Sequence, residues 1–449
     1  MDAIEGWQGR WMSWRERRLK AWIDALPAAE PGRALALLSQ SVRALNATLL
    51  DPVTRIALLR HYALSAADLT AVLARPGNAH ATAGLATTLH SEMAQGYQMA
   101  LAAELPADER RVAVAGAISG LSGVLRAAYR GYVPAPPGLW RRIHALFRAA
   151  GTPTLELERL YAKVLLMGLS DPYALPEGGM DAVCELIAEV GDRAVLSETS
   201  GFAIAAQADR AADPADGEAS LYLDTSAVLS ELARLRDDIR AHRPLPPRLA
   251  AGVLPDLALR LCASLGEAWR PGVRPRSLRV RMRGERLVCQ GLAGLRRLRA
   301  DDRFRQDSAD PDQPWDRARA AAVARERGFG LPRVTTWAIR DAGRSGLWLS
   351  CQDLEGPPPA PGTWIGVKDP SGGGRWLAAT VRWLRRSRPR EYAMGVAVLA
   401  EAQTETVLRI APRRAAFAAS PASAPLQQQP EAPASAPPVE IHGPRLALP

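Results

Sequence analysis

Cysteine is scarce in this chain of 449 residues. The four present, Cys184, Cys262, Cys289 and Cys351, lie far apart and form no C-x-x-C pair. The six histidines are also scattered, so no zinc-ligand spacing exists, and the expectation is reduced, buried thiols with no metal and no cofactor. Lysine is scarcer still: of 57 basic residues only Lys20, Lys163 and Lys368 are lysine. Arginine in place of lysine, with abundant alanine, is the mark of GC-rich coding, so the net charge of +10 is discounted as a sign of a nucleic-acid partner. No apolar run of about 18 residues and no N-terminal apolar h-region occurs, which predicts a cytoplasmic chain, neither secreted nor membrane-spanning. Catalytic motifs are missing as well. Ser119-Gly120-Leu121-Ser122-Gly123 lacks the G-x-S-x-G spacing, and Gly372-Gly373-Gly374 has no G-K-[ST] after it and reads as a hairpin loop. The chain is expected not to be an enzyme.

What is there is globular: 47% hydrophobic and 23% charged residues, in a chain long enough for two cores. From Met1 to about Leu245 the text is helical, with apolar residues at three- and four-residue spacing, as in Leu157, Leu160, Tyr161, Val164, Leu165 and Leu169. Asp51-Pro52 and Thr152-Pro153 read as helix starts, and Asp224 as a further cap. No repeat period emerges, so the expectation is an irregular bundle. Gly201–Ile204 and Leu221–Leu223 are strand-like and suggest a small hairpin or extended excursion, and the last helix falls at about 248–268.

Beyond Trp269 the period changes from 3.6 to 2. Leu278, Val280 and Met282 alternate with Arg279, Arg281 and Arg283, Gly284-Glu285 reads as a two-residue turn, and Leu287-Val288-Cys289 returns. Strand text resumes at Val334 and runs through 347–351, 364–367, 377–383 and 392–399, as in a small antiparallel barrel. Trp337, Trp348, Trp364, Trp376 and Trp383 read as filling of the barrel core rather than as a stacking platform for bases. The fold class is therefore α+β and multidomain: a helical interaction domain over 1–268, a barrel over 269–413 with a charged insert at 293–332, and a disordered tail over 414–449.

Arg270-x-x-x-Arg274 ahead of the first strand, with Asp341-x-Gly343-x-x-Gly346 downstream, resembles the PilZ domain, a family that binds cyclic di-GMP. The segments Glu92–Tyr97 and Leu165–Tyr173 resemble helical regions that precede divergent PilZ domains in proteobacterial proteins. The resemblance implies a barrel that holds cyclic di-GMP through Arg270, Arg274, Asp341, Gly343 and Gly346, with Gly343 where the family has serine. It implies a non-catalytic effector acting on motility, pili or exopolysaccharide. Two guanidinium forks on one segment suit a ligand with two phosphates and flat guanine faces. A second pair, Arg299 and Arg303, lies in the insert, but 270/274 is preferred because a strand follows it directly. Two readings stay open: a cyclic di-GMP effector with a protein partner on its helical domain, or a scaffold whose barrel no longer binds nucleotide and works through protein contacts.

Residues 1–25 carry Ile4, Trp7, Trp11, Trp14 and Trp22 near one helical face among basic residues. That stripe suits either packing on the bundle or peripheral contact with a membrane surface.

Overall fold

The computed structural model describes residues 16–410 apart from 28, 74–78, 213–218, 220, 273–278, 308–331, 344–345 and 370–374. The aromatic stripe from Ile4 to Trp14, Arg274, Leu278, the insert beyond Asp307, the triple glycine at 372–374 and the tail over 414–449 lie outside these described residues.

The first half is helical. Residues 16–24 (α1) lead into α2 (Pro31–Ala47), α3 (Pro52–Leu73), α4 (Ala79–Leu101), α5 (Ala107–Arg130), α6 (Leu139–Ala149), α7 (Leu155–Leu169), α8 (Gly179–Val190), α9 (Ser226–Arg240), α10 (Pro247–Ala250) and α11 (Pro255–Ala268). Asp51 caps α3 as expected, accepting from the Thr54 amide at 3.0 Å. The cap of α7 falls at Thr154 instead of Thr152, its hydroxyl accepting from the Leu157 amide at 3.4 Å. The start of α6 is capped from a distance: the Asp209 carboxylate accepts from the amides of Gly138 at 2.6 Å and Trp140 at 3.1 Å.

The central packing is the α4–α5 hairpin. Gly116, Gly120 and Gly123 recur on one face of α5, and a Cβ there would fall 2.4 Å from the Tyr97 ring, 3.0 Å from the Ala94 backbone nitrogen and 2.4 Å from the His90 ring. These glycines let α4 approach closely. Helix α5 is long and apolar enough to pass for a membrane span by length and composition, but most of it is buried. Leu35, Leu38, Leu59, Leu89 and Met93 form one core, and Leu121, Leu125, Trp140, Tyr161, Leu165, Leu186 and Trp269 belong to a second.

The excursion after α8 is a three-stranded sheet. Its centre is β3 (Tyr222–Asp224), flanked by β1 (Val195–Ser197), which the sequence did not announce, and β2 (Phe202–Ala203). Gly201 passes under β3 at φ +126°, where a Cβ would lie 2.2 Å from the Leu223 carbonyl oxygen. The Asp224 carboxylate accepts from the Ser226 amide at 2.8 Å at the start of α9.

The second half is a closed antiparallel barrel of β4 (Arg279–Arg281), β5 (Glu285–Gln290), β6 (Val334–Gly343), β7 (Gly346–Cys351), β8 (Trp364–Lys368), β9 (Leu377–Arg388) and β10 (Glu391–Val398). The sequence read Gly284-Glu285 as a hairpin turn; the structure corrects this. Strands β4 and β5 do not pair with each other but follow one line along β6, which at ten residues is long enough for both. Three residues, Met282 to Gly284, stand opposite two, Ile339 and Arg340, so the junction is a bulge, with Gly284 at φ +136°. Taken as one strand, β4–β5 closes the circle β6–β7–β10–β9–β8. Inside are Trp337, Ile339, Leu349, Ile365, Val381, Leu384 and Met394. Helices α12 (Gly291–Asp307) and α13 (Glu401–Ile410) cover a second apolar cluster of Cys289, Leu295, Trp376 and Ala378. The buried Arg299 of α12 donates to the Trp376 carbonyl at 3.1 Å and to Glu405 at 2.5 Å, so it is a structural tie.

The halves are joined along β9. Beyond the stretch paired with β8, the amides of Leu384 and Arg386 donate to the carbonyls of Tyr173, 2.9 Å, and Tyr132, 2.8 Å, in loops of the helical half. The ring of Tyr132 is buried and packs against the barrel core.

Candidate functional site

Antiparallel pairing carries one row of side chains across five strands on the outer surface of the barrel. Arg281 is opposite Asp341, Asp341 opposite Trp348, Trp348 opposite Gly395, and Gly395 opposite Trp383. Partners in register point to the same face, and on β7 the inward set is Leu347, Leu349 and Cys351, so Trp348 points out.

At one end of the row stands an ion pair. Asp341 Oδ1 accepts from Arg279 Nε at 2.7 Å and lies 2.6 Å from its Nη2. The Arg279 side chain is 40% exposed and that of Asp341 16%. A pair open to solvent on its arginine side contributes about 1 kcal/mol, so a ligand can displace Arg279 from it at low cost. Neighbouring Arg281 is exposed, and Arg340 donates to the Ser350 hydroxyl at 2.7 Å. The face thus offers guanidinium forks for phosphate and a carboxylate for N–H donors.

The residues singled out in the sequence fall as follows. Asp341 and Gly343 lie within β6, and Gly343 faces Gly346 across the β6–β7 hairpin. At Gly346 a Cβ would stand 2.8 Å from the Val396 carbonyl oxygen, so glycine permits close approach of β10. Arg270 is exposed just past the end of α11, 3.5 Å from Glu267 one turn back. Arg274 lies outside the described residues. The arginine that engages Asp341 is therefore Arg279, which the sequence offered only as the polar face of a strand.

The reading of all five barrel tryptophans as core is corrected. Trp337 and Trp376 are buried and Trp364 packs against the second cluster, but Trp348 is 39% exposed and Trp383 half-buried. Their rings meet edge to face on the outer surface, centroids 6.1 Å apart and planes at 65°. The signal was present in the sequence: Leu347 and Leu349 flank Trp348 and take the inward positions.

Elsewhere, Asp181 accepts from Arg126 at 2.8 Å and from Arg130, tying α5 to α8. Burial raises the Cys262 and Cys289 thiols to about 11, which keeps them protonated and poor as nucleophiles. Among the described residues, no three His, Cys, Asp or Glu side chains gather as a metal site.

Comparison with known proteins bears mainly on the helical half. Residues 17–200 match the family model described as the N-terminal domain of the cyclic di-GMP receptor FimW. That stretch includes Glu92–Tyr97 and the Leu165–Tyr173 segment, whose last carbonyl bonds to β9. The chain is also similar to the cyclic di-GMP receptor FimW of Pseudomonas aeruginosa, 23% identical over 363 residues, an alignment covering 71% of this chain and 59% of that receptor. The match thus spans less than two thirds of the relative's length.

Proposed function

We propose that this chain is a cytoplasmic, non-catalytic cyclic di-GMP effector whose barrel is of the PilZ type and whose helical half carries the contact with a protein partner. The observation that carries the reading is the outward Arg279–Asp341 pair beside the Gly343–Gly346 hairpin. A carboxylate accepts from the N1–H and exocyclic amine of guanine, while arginine forks donate to O6 and N7 or grip phosphate oxygens. Arg270 and Arg274 precede β4 and belong to the same cationic segment. The similarity to cyclic di-GMP receptors supports the choice of ligand. The nucleotide acts by binding one arrangement of barrel and helices better than another, since it shifts that balance only by its differential affinity.

Calorimetric titration of the full chain with cyclic di-GMP tests this. Asp341→Asn, Arg270→Ala and Arg274→Ala are each expected to weaken binding roughly ten- to a hundred-fold, the loss of one charge-assisted contact of about 1.5–3 kcal/mol. Unchanged affinity in all three moves the site elsewhere. A wild-type chain that does not bind establishes the scaffold reading, in keeping with glycine in place of the family's serine at 343.

A further inference from the structure

We propose that Trp348 and Trp383 form a stacking platform for a guanine base, an inference that rests on the nucleotide reading above and names residues which that reading does not use. The indole of Trp383 lies against the backbone of β10 at Gly395: a Cβ there would stand 2.0 Å from its Nε1, 2.4 Å from Cε2 and 2.6 Å from Cδ1. Glycine at 395 therefore lets the ring lie down on the strand, which covers one π-face and fixes the ring's orientation. Trp348 stands beside it as a wall, edge to face at 6.1 Å.

Neither ring serves the barrel core, which Trp337 fills from inside. Keeping a tryptophan 39% exposed beside a second, half-buried one forgoes burial that an inward position would supply, and paired aromatics on an outer sheet face suit a flat ligand. Charge selects the ligand. In the same row and its neighbour lie Arg279, Arg281 and Asp341, so an aromatic surface continues into guanidinium groups and one carboxylate. That sequence of groups matches a purine nucleotide: a π-face for the rings, an acceptor for the N–H edge of guanine, and cations for phosphate. It does not match an aliphatic ligand, which has no use for the charges. Trp383 also directly precedes Leu384, whose amide bonds to the Tyr173 carbonyl of the helical half. A base on the platform therefore sits one residue from the junction.

The test is calorimetry on the full chain with two probes, cyclic di-GMP and GMP, for the wild type, Trp348→Leu, Trp383→Leu and Trp348→Phe, each checked by thermal melting. Trp348 is on the surface, so its leucine variant is expected to melt like the wild type and remains informative should Trp383→Leu lose stability. Leucine keeps the apolar area but removes the π-face, so affinity for cyclic di-GMP is expected to fall roughly five- to a hundred-fold, and phenylalanine at 348 to restore most of it. Cyclic di-GMP bound by the wild type and equally well by Trp348→Leu overturns the platform and leaves the nucleotide reading standing. GMP bound by the wild type and lost in Trp348→Leu, with no binding of cyclic di-GMP, upholds the platform and overturns the choice of cyclic di-GMP. Binding of neither probe overturns both.

Discussion

His144 owes its chemistry entirely to its surroundings. Its Nε2 stands 2.8 Å from the Arg210 carbonyl oxygen, which can only accept, so Nε2 carries the proton and Nδ1 accepts from the Tyr161 hydroxyl at 2.6 Å. Burial lowers its pKa, and the same holds more strongly for His90. Desolvation first, then the charges of Arg126 and Arg130, lower the His90 value to about 4. The folded chain keeps His90 neutral at pH 5, whereas the unfolded chain protonates it near pH 6.5. Between these values the unfolded state binds more protons, so stability is full above about pH 6.5 and declines as pH falls toward 4. The shift corresponds to at most about 3 kcal/mol, less in proportion to the solvent that the half-buried ring still meets. Denaturant midpoints at pH 7.5 and pH 5 are expected to differ for the wild type and to differ less for His90→Gln, the remaining slope belonging partly to His144. Equal pH dependence in both proteins would rule out His90 as a source.

At the scale of elements, the α4–α5 seam and the barrel differ in how much the sequence discloses. The glycines of α5 divide by what faces them, and this fixes the sign of substitutions. Gly120→Val puts bulk against the Ala94 backbone, which cannot rotate away, and is expected to cost about 1–3 kcal/mol. Gly84→Ala, exposed in the second turn of α4 with nothing within 4 Å, is expected to stabilise by roughly 0.5–1 kcal/mol. Thermal melts of the two variants moving in the same direction would contradict this account of the seam. Neither sign is legible in the sequence, since Ser119–Gly123 shows glycine but not its neighbour. The strand periods were legible, because alternation such as Leu347-Trp348-Leu349 is local. The bulge at Met282–Gly284 was not, because a glycine followed by a polar residue also serves a two-residue turn, and what decides between them is the length of β6, some 50 residues away. The same limit hid the Arg279–Asp341 pair and the Asp209 cap on α6, each formed by residues more than 60 positions apart.

Over the whole molecule, Tyr132 is the residue on which the two halves meet. It follows α5 with φ +56°, packs its ring against the barrel core, donates from its hydroxyl to the Leu175 carbonyl at 3.0 Å, and accepts at its own carbonyl from the Arg386 amide. Burial pushes its phenol well above the usual range, so the hydroxyl stays a donor at every ordinary pH. Arg385 lies over the Tyr173 ring at 4.8 Å, adding a cation–π contact beside the backbone bonds. Backbone bonds to β9 hold two carbonyls of the helical half against a sheet that also carries Trp383, so a ligand on the outer face and the position of the helices bear on one strand. Removing the ring separates these roles. Tyr132→Ala leaves a cavity between barrel and helices and is expected to cost about 3–5 kcal/mol, whereas Tyr132→Phe keeps the packing and loses one hydrogen bond of about 1 kcal/mol. Scanning calorimetry is expected to show one cooperative transition for the wild type and for Tyr132→Phe, and two resolved transitions for Tyr132→Ala as barrel and helices unfold apart. A single transition at the wild-type temperature in Tyr132→Ala would mean that the halves are coupled elsewhere, and that the path from the barrel face to the helices does not run through this residue.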